Sequence, residues 1–366
     1  MYQSPETTYT VIHMHDVVAD FYLVEFFQGK SQFPRTRMLT FQSVLVKPIE
    51  YLVVGETTYF QTLPDRKGYN LLHLNAFYDL CSRQYTDAII QPSRLANERR
   101  AMCEMIDRYN DTSAIFIADR GYENYNIFAH VEHKGMYYLI RVKDITSNGI
   151  TSKLTMLPES GEFDEWVNVT LTKKQTNEVK ANPKKYRVID KKTPFDYLDL
   201  HFNNFYEMKM RVIRFPIPQG SYECIITNLP QDKFNSDEIK RLYAKRWGIE
   251  TSFRELKYAL GLTRFHSKKP EYIMQEIWSR TTLYNFCEII ATNVVINEKK
   301  GCKHTYQLNY TRAIRICCYF LSIKKEKAPP DVEYLIGHEL LPIRPGRTDP
   351  RKVKPQSAIS FLYRAA

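Results

Sequence analysis

No two of the seven cysteines in this 366-residue sequence are spaced C-x-x-C, and their number is odd. Cys81, Cys103, Cys224, Cys287, Cys302, Cys317 and Cys318 thus suggest neither a disulfide framework nor a zinc site, and are expected to be reduced and structural. No apolar run approaches the roughly 20 residues that a membrane helix requires. The opening MYQSPETTYTVIHMHDVV has no basic segment leading into an apolar one. No membrane partner is expected, and the cytoplasm is the default location. A Ser-His-Asp arrangement, a P-loop and an internal repeat are all missing. His130 and His133 have no third ligand at useful spacing, so no metal site is read there.

What the chain does carry is positive charge and aromatic side chains. Its formal net charge is +11, and it has 26 Tyr and 20 Phe. A basic surface of that size suits a polyanionic partner such as nucleic acid, although a merely basic soluble enzyme has the same balance. At 43% hydrophobic and 25% charged residues the chain is ordinary for a soluble globular protein, and it is long enough for one to three domains.

Along the chain, LLHLNAFYDL and YTDAIIQP read as strands around a turn at Cys81-Ser82-Arg83. Residues 97–109 have helical periodicity, and the apolar run 114–118 reads as a buried strand that delivers Asp119 at its C-terminal end. MYYLIRVK is a further strand. Residues 146–220 are β-rich (WVNVTLT, YRVID, MKMRVIRFPI) with polar turns between them, and ECIITNLP resumes a core strand. Asn235 and Glu238 form an N-x-x-E helix start. EYIMQEIWSRTTLYNFCEIIATNVV and YTRAIRICCYFL read as long helices, and the Pro-, Arg- and Lys-rich tail as an extended basic arm. Strands with a crossover helix, a β-rich interruption and then an acid-bearing helix make an α/β core.

The most informative segment is YAKRWGIETSFRELK. Tyr243, Arg246, Glu250 and Lys257 are spaced Y-x2-R-x3-E-x6-K. On one α-helix these offsets fall within roughly 60° of one another, a stripe roughly 20 Å long. Leu242, Ile249, Phe253, Leu256 and Leu260 mark the adjoining packing face. A solvated charged face would have the same spacing. In the alternative reading the carboxylate holds a metal and the bases hold phosphates. Paired divalent cations that hydrolyse or transfer phosphodiesters need clustered carboxylates on a rigid scaffold, and Mg²⁺ takes oxygen ligands while keeping exchangeable waters. Asp119 and Glu250 are the two candidate ligands, Arg246 and Lys257 the phosphate neutralisers, and Tyr243 a hydrogen-bond donor. Trp247, about 100° from Arg246 on such a helix, is expected to pack in the core. His73 and Asn75 are read as polar neighbours of the site or, more simply, as satisfied core residues.

The stretch from ECIITNLP to TTLYNF, together with IADRGYENYNIF and KGYNLLHLNAFYDLCSRQYTDAIIQP, resembles the insertion-sequence-four family of DDE transposases over roughly residues 59 to 320. That resemblance implies a ribonuclease-H-like core, a mixed sheet flanked by helices, with a β-rich insertion and a helical C-terminal region. It implies Asp119 and Glu250 as the second and third catalytic acids and metal ligands. Tyr243, Arg246 and Lys257 would be DNA-binding residues, and Mg²⁺ or Mn²⁺ the cofactor. Double-stranded DNA, as transposon ends and target, would be the partner of a homodimer. The implied division is 1–50 a degraded N-terminal segment, 51–145 the first part of the core, 146–220 the insertion, 221–265 the rest of the core, and 266–366 C-terminal helices and basic tail.

The family carries its first acid in a D-G-[ST] motif, and this sequence has none. An internal deletion joining two family segments near Lys47 to Glu56 would account for it, with Glu56 as the nearest substitute carboxylate. Two readings result: a transposase that cuts and joins DNA, or a catalytically inactive deletion remnant that at most binds DNA or another transposase copy.

Overall fold

The computed structural model describes residues 60–63, 66–70, 72–92, 95–198, 204–217, 220–262, 265, 269–294, 296, 305–323 and 330–343. The expectations placed on residues 1–56, including the junction near Lys47 and Glu56, and on the basic tail lie outside the described residues. The chain divides into two compact units, residues 96–247 and residues 1–95 with 248–366.

In the latter unit, the short strands β1 (Phe60–Leu63) and β2 (Arg66–Asn70) pair antiparallel. β3 (Leu72–Asp79) and β4 (Gln84–Pro92) form a hairpin with a register shift between Phe77 and Tyr78. Its turn, expected at Cys81-Ser82-Arg83, is held by Asp79, whose carboxylate accepts from Cys81 N (2.8 Å) and Ser82 Oγ (2.6 Å). Arg83 closes the turn in the left-handed region, at φ 59°.

The unit of residues 96–247 opens with α1 (Glu98–Arg108), N-capped by the Asn97 side chain on Arg100 N. Next come β5 (Ile115–Ala118), α2 (Tyr125–His133) and β6 (Tyr137–Val142). β7 (Phe163–Thr172), the short α3 (Asn177–Ala181), β8 (Tyr186–Val188), β9 (Tyr206–Pro216) and β10 (Tyr222–Thr227) complete the sheet region. The strands form one mixed six-stranded sheet in the order β5-β6-β10-β9-β7-β8, with β5 parallel to β6, β7 parallel to β8, and the other pairs antiparallel. The expected α/β class with a mixed sheet is what the chain adopts. The β-rich segment 146–220 contributes three strands to this same sheet. Parallel strands need a crossover rather than a tight turn, and β5 and β6 are joined through α2, which buries Ile127, Phe128 and Val131 completely. Phe128 stacks on Tyr138 of β6 at 4.8 Å.

Two networks of charge brace this unit. Arg211 of β9, with no exposed surface, donates from Nε to Asp164 (2.6 Å) and from Nη1 to the Phe234 carbonyl (2.7 Å). Asp164 also accepts from Ser236 Oγ (2.8 Å), so the guanidinium ties the sheet to the first residue of α4 (Ser236–Ala244). The Asn235–Glu238 start signal is realised as a capping box: Asn235 Oδ1 accepts from Glu238 N, and Glu238 accepts from Asn235 N (2.8 Å). The second network surrounds His130. Its Nδ1 lies 2.7 Å from Asp107 and its Nε2 2.9 Å from Asp196, while Asn126 bonds Asp196 twice, each at 2.8 Å. This clamp joins α1, α2 and the loop before β9.

In the other unit, α5 (Trp247–Tyr258), α6 (Pro270–Asn293), α7 (Tyr310–Ser322) and α8 (Val332–His338) accompany the β3–β4 hairpin and a small ribbon of β11 (Tyr306–Leu308) and β12 (Leu340–Pro342). α6 begins with Pro270, whose fixed φ suits a first turn, and buries residues on more than one side. Tyr85, Leu256, Leu260, Ile277, Tyr284, Ile290, Ile314 and Phe320 form its core. Cys81, Cys103, Cys224, Cys287, Cys317 and Cys318 are all free thiols.

Removing one partner of a charge pair at a fully buried guanidinium costs about 3 kcal/mol or more, so Asp164→Ala is expected to lower stability by that amount in urea denaturation. Burial alone would lower the His130 pKa, but hydrogen bonds to Cys103, Asp107 and Asp196 outweigh it and raise it to about 10. The stabilisation from protonated His130 is therefore complete below its unfolded value, roughly 6.5, and is lost as pH rises through about 10. The Tm advantage of the wild type over His130→Gln is expected to be largest near neutral pH or below and to shrink on approaching pH 10.

Candidate active site

Asp119 stands at the end of β5, as the apolar run 114–118 predicts, and its side chain then caps a 3₁₀ turn (Arg120–Tyr122). Oδ1 accepts from Gly121 N at 2.9 Å. A Cβ on Gly121 would stand 3.1 Å from that same oxygen, so the absence of a side chain at this position keeps the carboxylate uncrowded. The capping role and a ligand role are compatible. The group is exposed. On the far side of Gly121 is Glu98, whose Oε2 would lie 4.0 Å from the same added Cβ. The pKa of Tyr122 is pushed up to about 12, first by burial and then by the charges of Glu98 and Asp119. Sequence reasoning does not find Glu98 as a neighbour of Asp119, because 21 residues and a whole helix separate them.

The expected single helix from Tyr243 to Lys257 is two helices. α4 ends at Ala244, and Lys245 N and Arg246 N bond Leu242 O (3.1 Å) and Tyr243 O (3.0 Å), three residues back. This tighter winding, three residues per turn rather than 3.6, breaks the angular stripe that one continuous helix would keep. α5 then starts at Trp247. Two consequences correct the sequence reading. Trp247 is 56% exposed rather than in the core, and it lies beside Arg246, with the guanidinium carbon 5.2 Å from its ring. The stripe is also divided between the two units, Tyr243 and Arg246 in one, Glu250 and Lys257 in the other.

Within the first of these, Tyr243 packs with Leu139, Ile213, Phe215, Ile225, Leu229 and Ile239. Its hydroxyl is buried and makes no hydrogen bond of acceptable geometry, although Arg141 is nearby. Burial raises the Tyr243 pKa, opposed by the positive charges of Arg246 and Arg141. Arg246 is half-buried, its guanidinium carbon also 5.7 Å from the Tyr243 ring, so two aromatic faces hold one cation.

In the second unit, α5 has two opposed faces. Ser252, Glu255 and Leu256 are buried. Glu250, Arg254 and Lys257, at i, i+4 and i+7, are all exposed on the outer side. Arg254 belongs with the predicted pair. The four-residue motif skips it, although helical spacing alone would find it. Of the expected packing face, Leu256 and Leu260 are buried with Phe253 against them, while Leu242 packs in the other unit's core. Asn75 is a core residue bonded to Ile89 O (3.3 Å) and Gln91 (3.0 Å), and His73 is half-buried.

Exposed carboxylate oxygens suit a hard divalent cation. Asp119 and Glu250 meet that requirement in donor type and accessibility. Among the described residues, no group of three or more His, Cys, Asp or Glu side chains forms a ready-made metal cluster. No described helix is long and apolar enough to cross a membrane.

A carboxylate at the end of a sheet strand and an acid on a helix that also carries bases are thus both present, one in each unit. Residues 56–286 match the transposase DDE domain family, well over half of the chain, and the protein belongs to that family. Divalent metal use goes with that membership. It is similar to the transposase InsG for insertion sequence element IS4 of Escherichia coli (strain K12), 40% identical over 55 residues, which are 14% of this chain and 12% of that protein. It is also similar to the putative transposase InsL for insertion sequence element IS186A of the same strain, 33% identical over 52 residues, 14% of each. The matched stretches thus span only a small part of those curated relatives. A cryo-EM structure of the piggyBac transposase synaptic complex with hairpin DNA aligns with 85% of this chain and 62% of its own, at TM-score 0.43 and 12% identity. The family assignment does not rest on that likeness.

Because the Tyr243 hydroxyl makes no bond, Tyr243→Phe is expected to leave stability unchanged or to raise it by about 1 kcal/mol, measured by thermal melting. A drop of several kcal/mol would mean that the hydroxyl is satisfied.

Proposed function

We propose that the protein is a DNA transposase that cuts phosphodiester bonds at the ends of an insertion sequence and joins them to target DNA. The observation that carries this reading is α5, with one face buried and the other presenting Glu250 beside bases, in a chain of the transposase DDE family. Asp119 and Glu250 would each offer carboxylate oxygens to divalent cations, of which Mg²⁺, or Mn²⁺ in its place, fits the donor set. Bound there, such cations supply activation of an attacking oxygen and stabilisation of the leaving one.

The chain's own groups do the rest. Tyr243 holds a buried hydroxyl ready to donate to a phosphate oxygen. Arg246, fixed between two rings, neutralises the same phosphate without losing much side-chain freedom. Arg254 and Lys257 extend the positive edge along α5, where each phosphate contact displaces condensed counterions. An element has two ends, so the working assembly in this reading is a homodimer on double-stranded DNA, acting in the cytoplasm.

Purified protein, Mg²⁺ or Mn²⁺ and DNA carrying the flanking terminal repeats test it. Metal-dependent nicking at the repeat boundary is expected, with Glu250→Ala and Asp119→Ala each slowing it by about 100-fold or more, the scale of removing a metal ligand or a transition-state contact. The Arg246→Ala variant is expected to bind the ends more weakly and with a shallower salt dependence. No nicking at any metal concentration, with end binding intact, would leave the inactive DNA-binding remnant as the function.

A further inference from the structure

One cluster of buried charge in the unit that holds α5 lies at the hairpin turn between β3 and β4. Arg83 bonds Glu288 of α6 from Nε (2.6 Å), and its Nη2 is 3.7 Å from Glu255 of α5. Its guanidinium carbon sits 3.7 Å from the centre of the Tyr310 ring of α7. Glu288 and Glu255 expose only 1% and 7% of their side chains. Glu255 accepts from Tyr284 Oη (2.9 Å), which lies 3.3 Å from Tyr78 Oη of β3. Two buried carboxylates thus share one cation, which itself sits at a backbone position that a non-glycine residue rarely adopts.

The same hairpin grips α5 twice more. Tyr85 Oη and Ser252 Oγ are 2.6 Å apart. At Gly248 the helix approaches so closely that a Cβ would come within 2.7 Å of Leu80 Cδ2. Gly248, Ser252 and Glu255 are i, i+4 and i+7 on one helical stripe. Glu250 is about 160° away from Ser252, on the exposed side. The rotation of α5 about its axis is therefore fixed from its hidden face.

We propose that Arg83 is a positioning residue for Glu250: by pairing with Glu255 and Glu288 it seats α5 on the hairpin and so sets where the exposed carboxylate points. This rests on the reading of Glu250 as a metal-holding acid, but its effect on the helix can be read without it. Removing the guanidinium leaves two buried carboxylates without a cation, and the partner free to move is the short helix rather than α6, which is buried on several sides. Substituting Lys preserves charge but not the planar fork or the stacking on Tyr310.

The test uses the full chain with Arg83→Gln, Arg83→Lys and Glu255→Gln. Hydrogen–deuterium exchange is expected to quicken about tenfold over residues 249–256 in Arg83→Gln, with less than about twofold change in α7, because local opening is released without global unfolding. In Arg83→Lys the effect should be intermediate. On repeat-end DNA, Arg83→Gln and Glu255→Gln should raise the Mn²⁺ needed for half-maximal cleavage by about tenfold and lower kcat, with KM for DNA nearly unchanged. Exchange that quickens equally in α5, α6 and α7 would make Arg83 a structural residue only and overturn the proposal. So would unchanged exchange in α5. If the wild type does not cleave, the reading of Glu250 fails as a catalytic one, and the exchange pattern alone still decides whether Arg83 sets the helix. Localised α5 exchange alongside unaltered Mn²⁺ dependence in an active enzyme would overturn the link to Glu250.

Discussion

A guanidinium with no exposed surface, Arg211, is the interaction on which the placing of Tyr243 depends. Burying such a charge is tolerable only when its donors are met, and here they are met by Asp164 on the neighbouring strand and by the carbonyl of Phe234. Because Asp164 also accepts from Ser236, the arginine's requirement for partners fixes the start of α4 on the sheet. The capping box at Asn235 and Glu238 then determines where the helix begins, and Tyr243, near its far end, enters the core beside Arg246. Sequence, cap and sheet thus cooperate to place one phenol.

The other unit solves the same problem by different means. There, a helix that must present an acid and two bases to solvent has to be held by its remaining side, and apolar packing alone does not resist rotation well. Polar groups buried at Ser252 and Glu255, together with a glycine at Gly248, supply directional contacts instead. Buried polar networks of this kind specify a single arrangement when fully satisfied.

Much of this is legible in the amino acids wherever the cause is local. The N-x-x-E start of α4, the β3–β4 hairpin with its turn, and the strand that ends in Asp119 all come from short-range capping and alternation. Glu250 and Lys257 share a helical face as their spacing requires. Effects set by residues far apart in the chain are not legible in this way. His130 finds its partners in Asp107 and Asp196, which lie on different elements, and no spacing rule links the three. Projecting one helix through the residues where the backbone tightens puts Trp247 in the core, whereas the folded chain exposes it. Periodicity describes a regular helix and makes no provision for a turn wound three residues at a time. Glu56 and the region before it lie outside the described residues.

The seating of α5 on the hairpin also bears on how this motif can change over generations. A single inserted or deleted residue between Gly248 and Glu255 would swing every later side chain by about 100°. Gly248 and Glu255 could then no longer meet the hairpin together, and the rotation of the exposed face would be lost with them. The numbers in Y-x2-R-x3-E-x6-K are in that sense a mechanical tolerance as much as a chemical one. Arg254 and Lys257 stand on the exposed side of α5, whereas the spacing of Gly248, Ser252 and Glu255 sets how the helix is seated.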